Sequence, residues 1–131
     1  MANSVQLEII GEVSDPSDQN TDVFIRFENG EEYVASFFTI KNIVRMMSKN
    51  KVSGEQQNGS YFWSSDMVIV EEISEDCIRR TVEDLIKSQG FFRAASATNE
   101  LARKRIEKET GHIPVGQVLT RPIKVIPKND I

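Results

Sequence analysis

Apolar residues recur along this chain with two periods, two and about 3.6 residues, and each change of period marks an element. The most consistent stretch runs from Tyr61 to Ile86. It opens on Tyr61, Phe62 and Trp63 and passes through Ser64, Ser65 and Asp66 into the unbroken apolar run Met67, Val68, Ile69 and Val70. Aromatic and β-branched residues favour a pleated, half-buried surface. A short continuous apolar run fits a central strand covered on both faces. Ser74 then reads as a helix N-cap, with Glu75 and Asp76 at the positive end of the helix dipole. Ile73 and Ile78 occupy hydrophobic-staple positions, and Ile78, Val82, Leu85 and Ile86 form one apolar stripe. Gly90 is placed to end that helix in a left-handed conformation.

Upstream, Val5, Leu7 and Ile9 alternate with Gln6 and Glu8, the pattern of a strand with one buried face. Residues 14–21 are a polar loop. Asp22 to Phe38 predicts a hairpin around Asn29-Gly30. A two-residue turn would set Glu28 against Glu31, and like charges directly opposite are unfavourable. A three-residue loop with Gly30 in a bulge instead pairs Phe27 with Glu31, Arg26 with Glu32 and Ile25 with Tyr33. The second register gains an ion pair and an aromatic–aliphatic pair, so it is preferred. Val23, Ile25, Phe27, Tyr33, Ala35 and Phe37 then share a face.

Thr39 reads as the cap of the next helix, with Phe38 and Ile43 as its staple and Ile40, Ile43, Val44 and Met47 as its apolar stripe. Residues 52–60 form a polar loop. Beyond Gly90, Phe91 and Phe92 are placed to close the core, and residues 94–110 favour helix by propensity up to Gly111. Pro114, Pro122 and Pro127 interrupt the remainder, which reads as extended, at best an edge strand.

The expectation is an α+β fold: a mainly antiparallel sheet of about four to five strands packed by two amphipathic helices, plus a third C-terminal helix and an extended tail. Residues 1–92 form the α+β core, and 93–131 a basic helix and arm of the same domain or of a dimer. Ile43, Val44, Met67, Ile69, Ile78, Val82 and Leu85 are the expected core cluster.

Composition narrows the class. A hydrophobic fraction of 39% and a charged fraction of 27% are ordinary for a globular chain. Cys77 is the single cysteine, so no intrachain disulfide framework exists and a reducing compartment is expected. Residues 1–13 lack the basic start and apolar stretch of a signal peptide. No apolar run reaches the roughly 20 residues that span a bilayer. A cytoplasmic protein with no membrane partner is expected. The net charge of −4 is unevenly spread: residues 93–131 hold eight Lys and Arg against four Asp and Glu, and residues 1–92 hold eight against sixteen. An arm of opposite sign to its body suits docking, either on its own domain or on a second copy.

No catalytic, metal or cofactor motif is present, and no cofactor is expected. His112, the only histidine, stands at a predicted helix end where an imidazolium suits the dipole. Cys77 lies in a first helical turn, where a thiol can be activated, but Ile78 beside it fits an inert half-buried position. Tyr61 and Trp63, with Asp66, are the candidate partner-binding residues, because Trp and Tyr are enriched in binding hot spots. Core packing explains the same aromatics. Arg103, Lys104, Arg105 and Lys108 form the alternative, a nucleic-acid site. Glu100 and Glu107 at helical spacing explain that run as a salt-bridged face instead. The function expected is therefore binding to a protein partner, as an immunity-type, inhibitory or regulatory factor, with nucleic-acid binding second and an enzyme third.

Overall fold

The computed structural model describes residues 5–111. Alternation builds the first three strands. β1 (Val5–Ile9), β2 (Asn20–Phe27) and β3 (Glu32–Thr39) form an antiparallel meander. β4 (Met67–Val70) pairs parallel to β3, and the two-residue β5 (Ser96–Ala97) pairs antiparallel to the start of β3. The sheet is thus five-stranded and mainly antiparallel, and with its helices it makes an α+β fold.

The hairpin adopts the three-residue loop. Arg26 pairs with Glu32 and Ile25 with Tyr33, and the Phe27 amide donates to the Glu31 carbonyl at 2.8 Å. Gly30 sits at φ 96°, the left-handed conformation that such a bulge requires. Because the register is even, Val23, Ile25, Phe27, Tyr33, Ala35 and Phe37 all point to one face, and all are buried.

Three helices cover that face. α3 (Glu75–Lys87) begins at Ser74, whose hydroxyl accepts from the Cys77 amide, and it buries Cys77, Ile78 and Val82. α4 (Phe91–Ala94) inserts Phe91 and Phe92, and α5 (Glu100–Thr110) inserts Ala102. The residue that ends α3 in the left-handed region is Gln89, at φ 66°, while Gly90 precedes α4 with ordinary φ. α5 starts later than propensity predicts. Asn99 caps it by accepting from the Ala102 amide, after β5 has used Ser96 and Ala97.

α1 (Ile40–Ser53) departs from expectation. Thr39 caps it, accepting from the Asn42 amide at 3.3 Å. Its one fully buried side chain is Asn42, while Ile40 and Val44 are 60% and 58% exposed. Asn42 is held by long-range hydrogen bonds, donating to Asp18 at 3.2 Å and accepting from Asn20 at 2.9 Å. Those bonds turn Asn42 inward and leave Ile40 and Val44 of the apolar stripe facing water, with Ile43 and Met47 half-buried. β4 departs similarly. Among the described residues it is an edge strand with β3 as its one neighbour, and Ile69 is 47% exposed on the outer face of the sheet. Of the expected core cluster, Ile78 and Val82 are buried; Ile43, Met67 and Leu85 are half-buried; Val44 and Ile69 are exposed.

A polar network fastens α5 to the hairpin. Glu31 is buried, and its carboxylate accepts from the Tyr33 hydroxyl at 2.6 Å, from Asn29 at 2.8 Å and from Arg105 at 3.3 Å. The Arg105 guanidinium also lies 4.8 Å from the centre of the Phe92 ring. Burial, the hydrogen bond to Glu31 and the Glu31 charge together drive the Tyr33 phenol well above its ordinary pKa. A phenol whose pKa rises on folding contributes stability below its unfolded value of about 10 and loses it as pH climbs beyond that value. Urea titrations should therefore show stability falling above pH about 10, and Tyr33→Phe should flatten that fall. An unchanged alkaline slope in Tyr33→Phe would assign the loss to other groups.

Candidate functional site

The segment joining α1 to β4 is where the chain spends conformational energy. After α1, Gly54 turns left-handed at φ 87°. The next turn, α2 (Glu55–Gly59), winds left-handed through Gln56, Gln57 and Asn58, at φ 51°, 49° and 59°. Left-handed winding costs L-residues roughly 1–2 kcal/mol each. Local hydrogen bonds hold it: Asn58 N to Gly54 O at 3.3 Å, Ser60 N to Gln56 O at 3.2 Å, and Asn50 Nδ2 to Gln56 Oε1 at 3.2 Å. Gly59 closes the turn against α1. A Cβ there would stand 2.3 Å from the Met47 carbonyl oxygen and 2.9 Å from the Lys51 amide nitrogen.

Gly59 thereby delivers Tyr61, Phe62 and Trp63 to the outer face of the sheet. These three residues join no strand, so the strand begins at Met67 rather than at Tyr61. Phe62 anchors them, with its ring edge-on to Phe38 at 5.2 Å. Tyr61 and Trp63, on either side of that anchor, are 48% and 69% exposed. Asp66 has a different place. At φ 54° it makes the turn into β4, its carbonyl accepts from the Ser36 amide at 2.8 Å, and its carboxylate accepts from the Ser96 hydroxyl. It joins the loop to β3 and β5.

The outer face beside this loop carries no described helix comparable to α3–α5. Phe38 pairs with Ile69, Phe24 with Val34 and Ser36 with Met67 across the strands. Phe24, Val34 and Met67 are half-buried there. Tyr61, Trp63 and Ile69 extend this apolar area into solvent. Around it stand Glu8, Asp22 and Glu32, with Arg26 bonded to Glu8 at 3.0 Å.

The second candidate set is occupied internally. Arg103 bonds Glu100 and Glu107 on its own helix. Arg105 bonds Glu31 and Glu109. The Arg103 hydrogen bond holds the Glu100 carboxyl below the usual carboxylate range, so the pair stays ionised at neutral pH. Lys104 and Lys108 are exposed and make no ion pair among the described residues. Cys77, in the first turn of α3, is buried. His112 and the apolar positions Val115, Val118, Leu119, Ile123, Val125 and Ile126 lie outside the described residues.

Sequence reasoning missed a further feature. α1 contains Lys41, Arg45, Lys49 and Lys51 and no acidic residue, within the otherwise acidic first part of the chain. Lys41, Arg45 and Lys49 recur every four residues, a signal that averaging over residues 1–92 conceals. Arg45 bonds Asp18 at 2.8 Å and, against the opposing effect of burial, holds that carboxyl below its usual pKa. A shallow depression of about 320 Å³ runs along this side, between Asn20, Asn42, Lys49 and Glu55.

Comparison with known protein families, with curated proteins and with solved structures finds no match for this chain. Among the described residues no helix is long and apolar enough to cross a membrane, and no group of His, Cys, Asp and Glu side chains is placed to hold a metal ion.

Proposed function

We propose that this chain is a small cytoplasmic protein that acts by binding another protein, in an immunity-type, inhibitory or regulatory role, with Tyr61 and Trp63 carrying the contact. The observation that supports this most is the exposure of Trp63 and Tyr61 on either side of a half-buried anchor, Phe62, packed on Phe38. Large aromatics left in water forgo roughly 1.5–3 kcal/mol each of burial. A tether through Phe62 that holds two of them outward lowers the ordering cost of docking them on a partner. Phe24, Val34 and Ile69 beside them offer the apolar centre of a contact, and Glu8, Asp22 and Glu32 its polar rim. Asp66 acts as a positioning residue for the loop. The nucleic-acid reading has less support, since Arg103 and Arg105 are engaged by carboxylates.

Parallel capture from the native cell extract tests the proposal, with the wild-type chain and the Tyr61→Ala, Trp63→Ala variant as matched baits. A protein recovered on wild type and depleted at least about tenfold on the variant is the expected result, equivalent to about 1.4 kcal/mol or more. Equal recovery on both baits, or no selective protein on either, would count against it.

A further inference from the structure

We infer that two copies of this chain associate through the outer face of α1 and the acidic turn that follows β4. This is independent of the partner reading, because it rests on other elements. β3 and β4 are parallel, with Thr39 opposite Val70. The chain therefore leaves both strands at the same end of the sheet, into α1 from Thr39 and into Glu71 and Glu72 from Val70.

That end carries both signs of charge. Lys41, in the first turn of α1, is exposed, as is Lys51 farther along the same side, and Glu71 and Glu72 are exposed at the turn. None of these four makes an ion pair among the described residues. On the same side of α1 as Lys41 and Lys51 stand Ile40 and Val44, more than half exposed, and Val52, 91% exposed. Anionic lipid or nucleic acid would be attracted by the lysines and repelled by Glu71 and Glu72. A surface with a cationic helix on one side and an acidic turn on the other complements itself under a two-fold rotation. Each copy's lysines then meet the other's glutamates, and the apolar α1 faces close between them.

Sedimentation equilibrium of the full chain tests this. The wild type should dimerise at low salt, with affinity falling about tenfold or more as salt rises, because exposed charges are screened. Lys41→Glu with Lys51→Glu should be monomeric, and so should Glu71→Lys with Glu72→Lys. An equimolar mixture of the two variants should dimerise, since each then offers the sign that the other lacks. The Ile40→Gln, Val44→Gln variant keeps every charge and should also be monomeric; circular dichroism checks that each variant is folded. A wild type that stays monomeric at low salt, variants that still dimerise alone, or a mixture that remains monomeric would overturn the inference.

Discussion

Phe91→Ala should lower the stability of this protein by about 3–5 kcal/mol, the range for truncating a buried phenylalanine. The side chain is 1% exposed and lies at the centre of an aromatic cluster. Its ring centre is 5.4 Å from that of Phe27, 5.0 Å from Tyr33 and 5.4 Å from Phe92, the last two edge-on. Removing it empties the junction of β2, β3 and α4, where the surrounding rings cannot all collapse into the gap. Domains of this size have roughly 5–15 kcal/mol in total, so the urea midpoint should drop sharply with little change in slope. Val44→Ser should change stability by less than about 0.5 kcal/mol, since Val44 lies in water. Equal losses at the two positions would mean that α1, and not α4, closes the core.

Gly59→Ala should cost about 1–3 kcal/mol for its left-handed backbone alone, with the collision against α1 added. At φ 71° the new methyl would meet the Met47 carbonyl and the Lys51 amide, both backbone atoms that cannot rotate away. The turn must then lift from α1 and carry Tyr61 and Trp63 with it. Faster amide exchange in the second half of α1 and a changed Trp63 emission are the expected readouts. Gln57→Gly, at an exposed position with φ 49°, should act in the opposite direction, neutral to stabilising by up to about 1 kcal/mol. If Gly59→Ala is harmless and Gln57→Gly costly, the turn does not wind left-handed.

The contrast between Asn29-Gly30 and Asn42 shows what was legible in the sequence. The hairpin register, both long-helix caps and the buried face of β2 and β3 follow from chemistry within a few residues, and the structure has each of them. α1 was misread because its orientation is set by Asn42 reaching Asp18 and Asn20, 24 and 22 residues away. A periodicity argument shows that a helix has an apolar stripe; it does not show which way the stripe faces. Met67–Val70 failed for a related reason. A continuous apolar run suits an edge strand as well as a central one when its outward residue, here Ile69, remains exposed. Tyr61 and Trp63 were visible as candidates from residue type, but the left-handed turn that presents them was hidden. Gln56 and Gln57 carry no preference for that conformation, and only Gly54, Asn58 and Gly59 hint at it.

Trp63 is the single tryptophan, so its fluorescence reports one site without any label. Titrating the full chain with the protein that it captures selectively, chosen to contribute no tryptophan emission or with that emission subtracted, asks directly whether this side chain enters the interface. Saturable blue-shifted emission, with protection from acrylamide quenching, is the result expected of a 69% exposed indole that becomes buried on binding. Binding that proceeds with the emission and quenching of Trp63 unchanged would contradict the account.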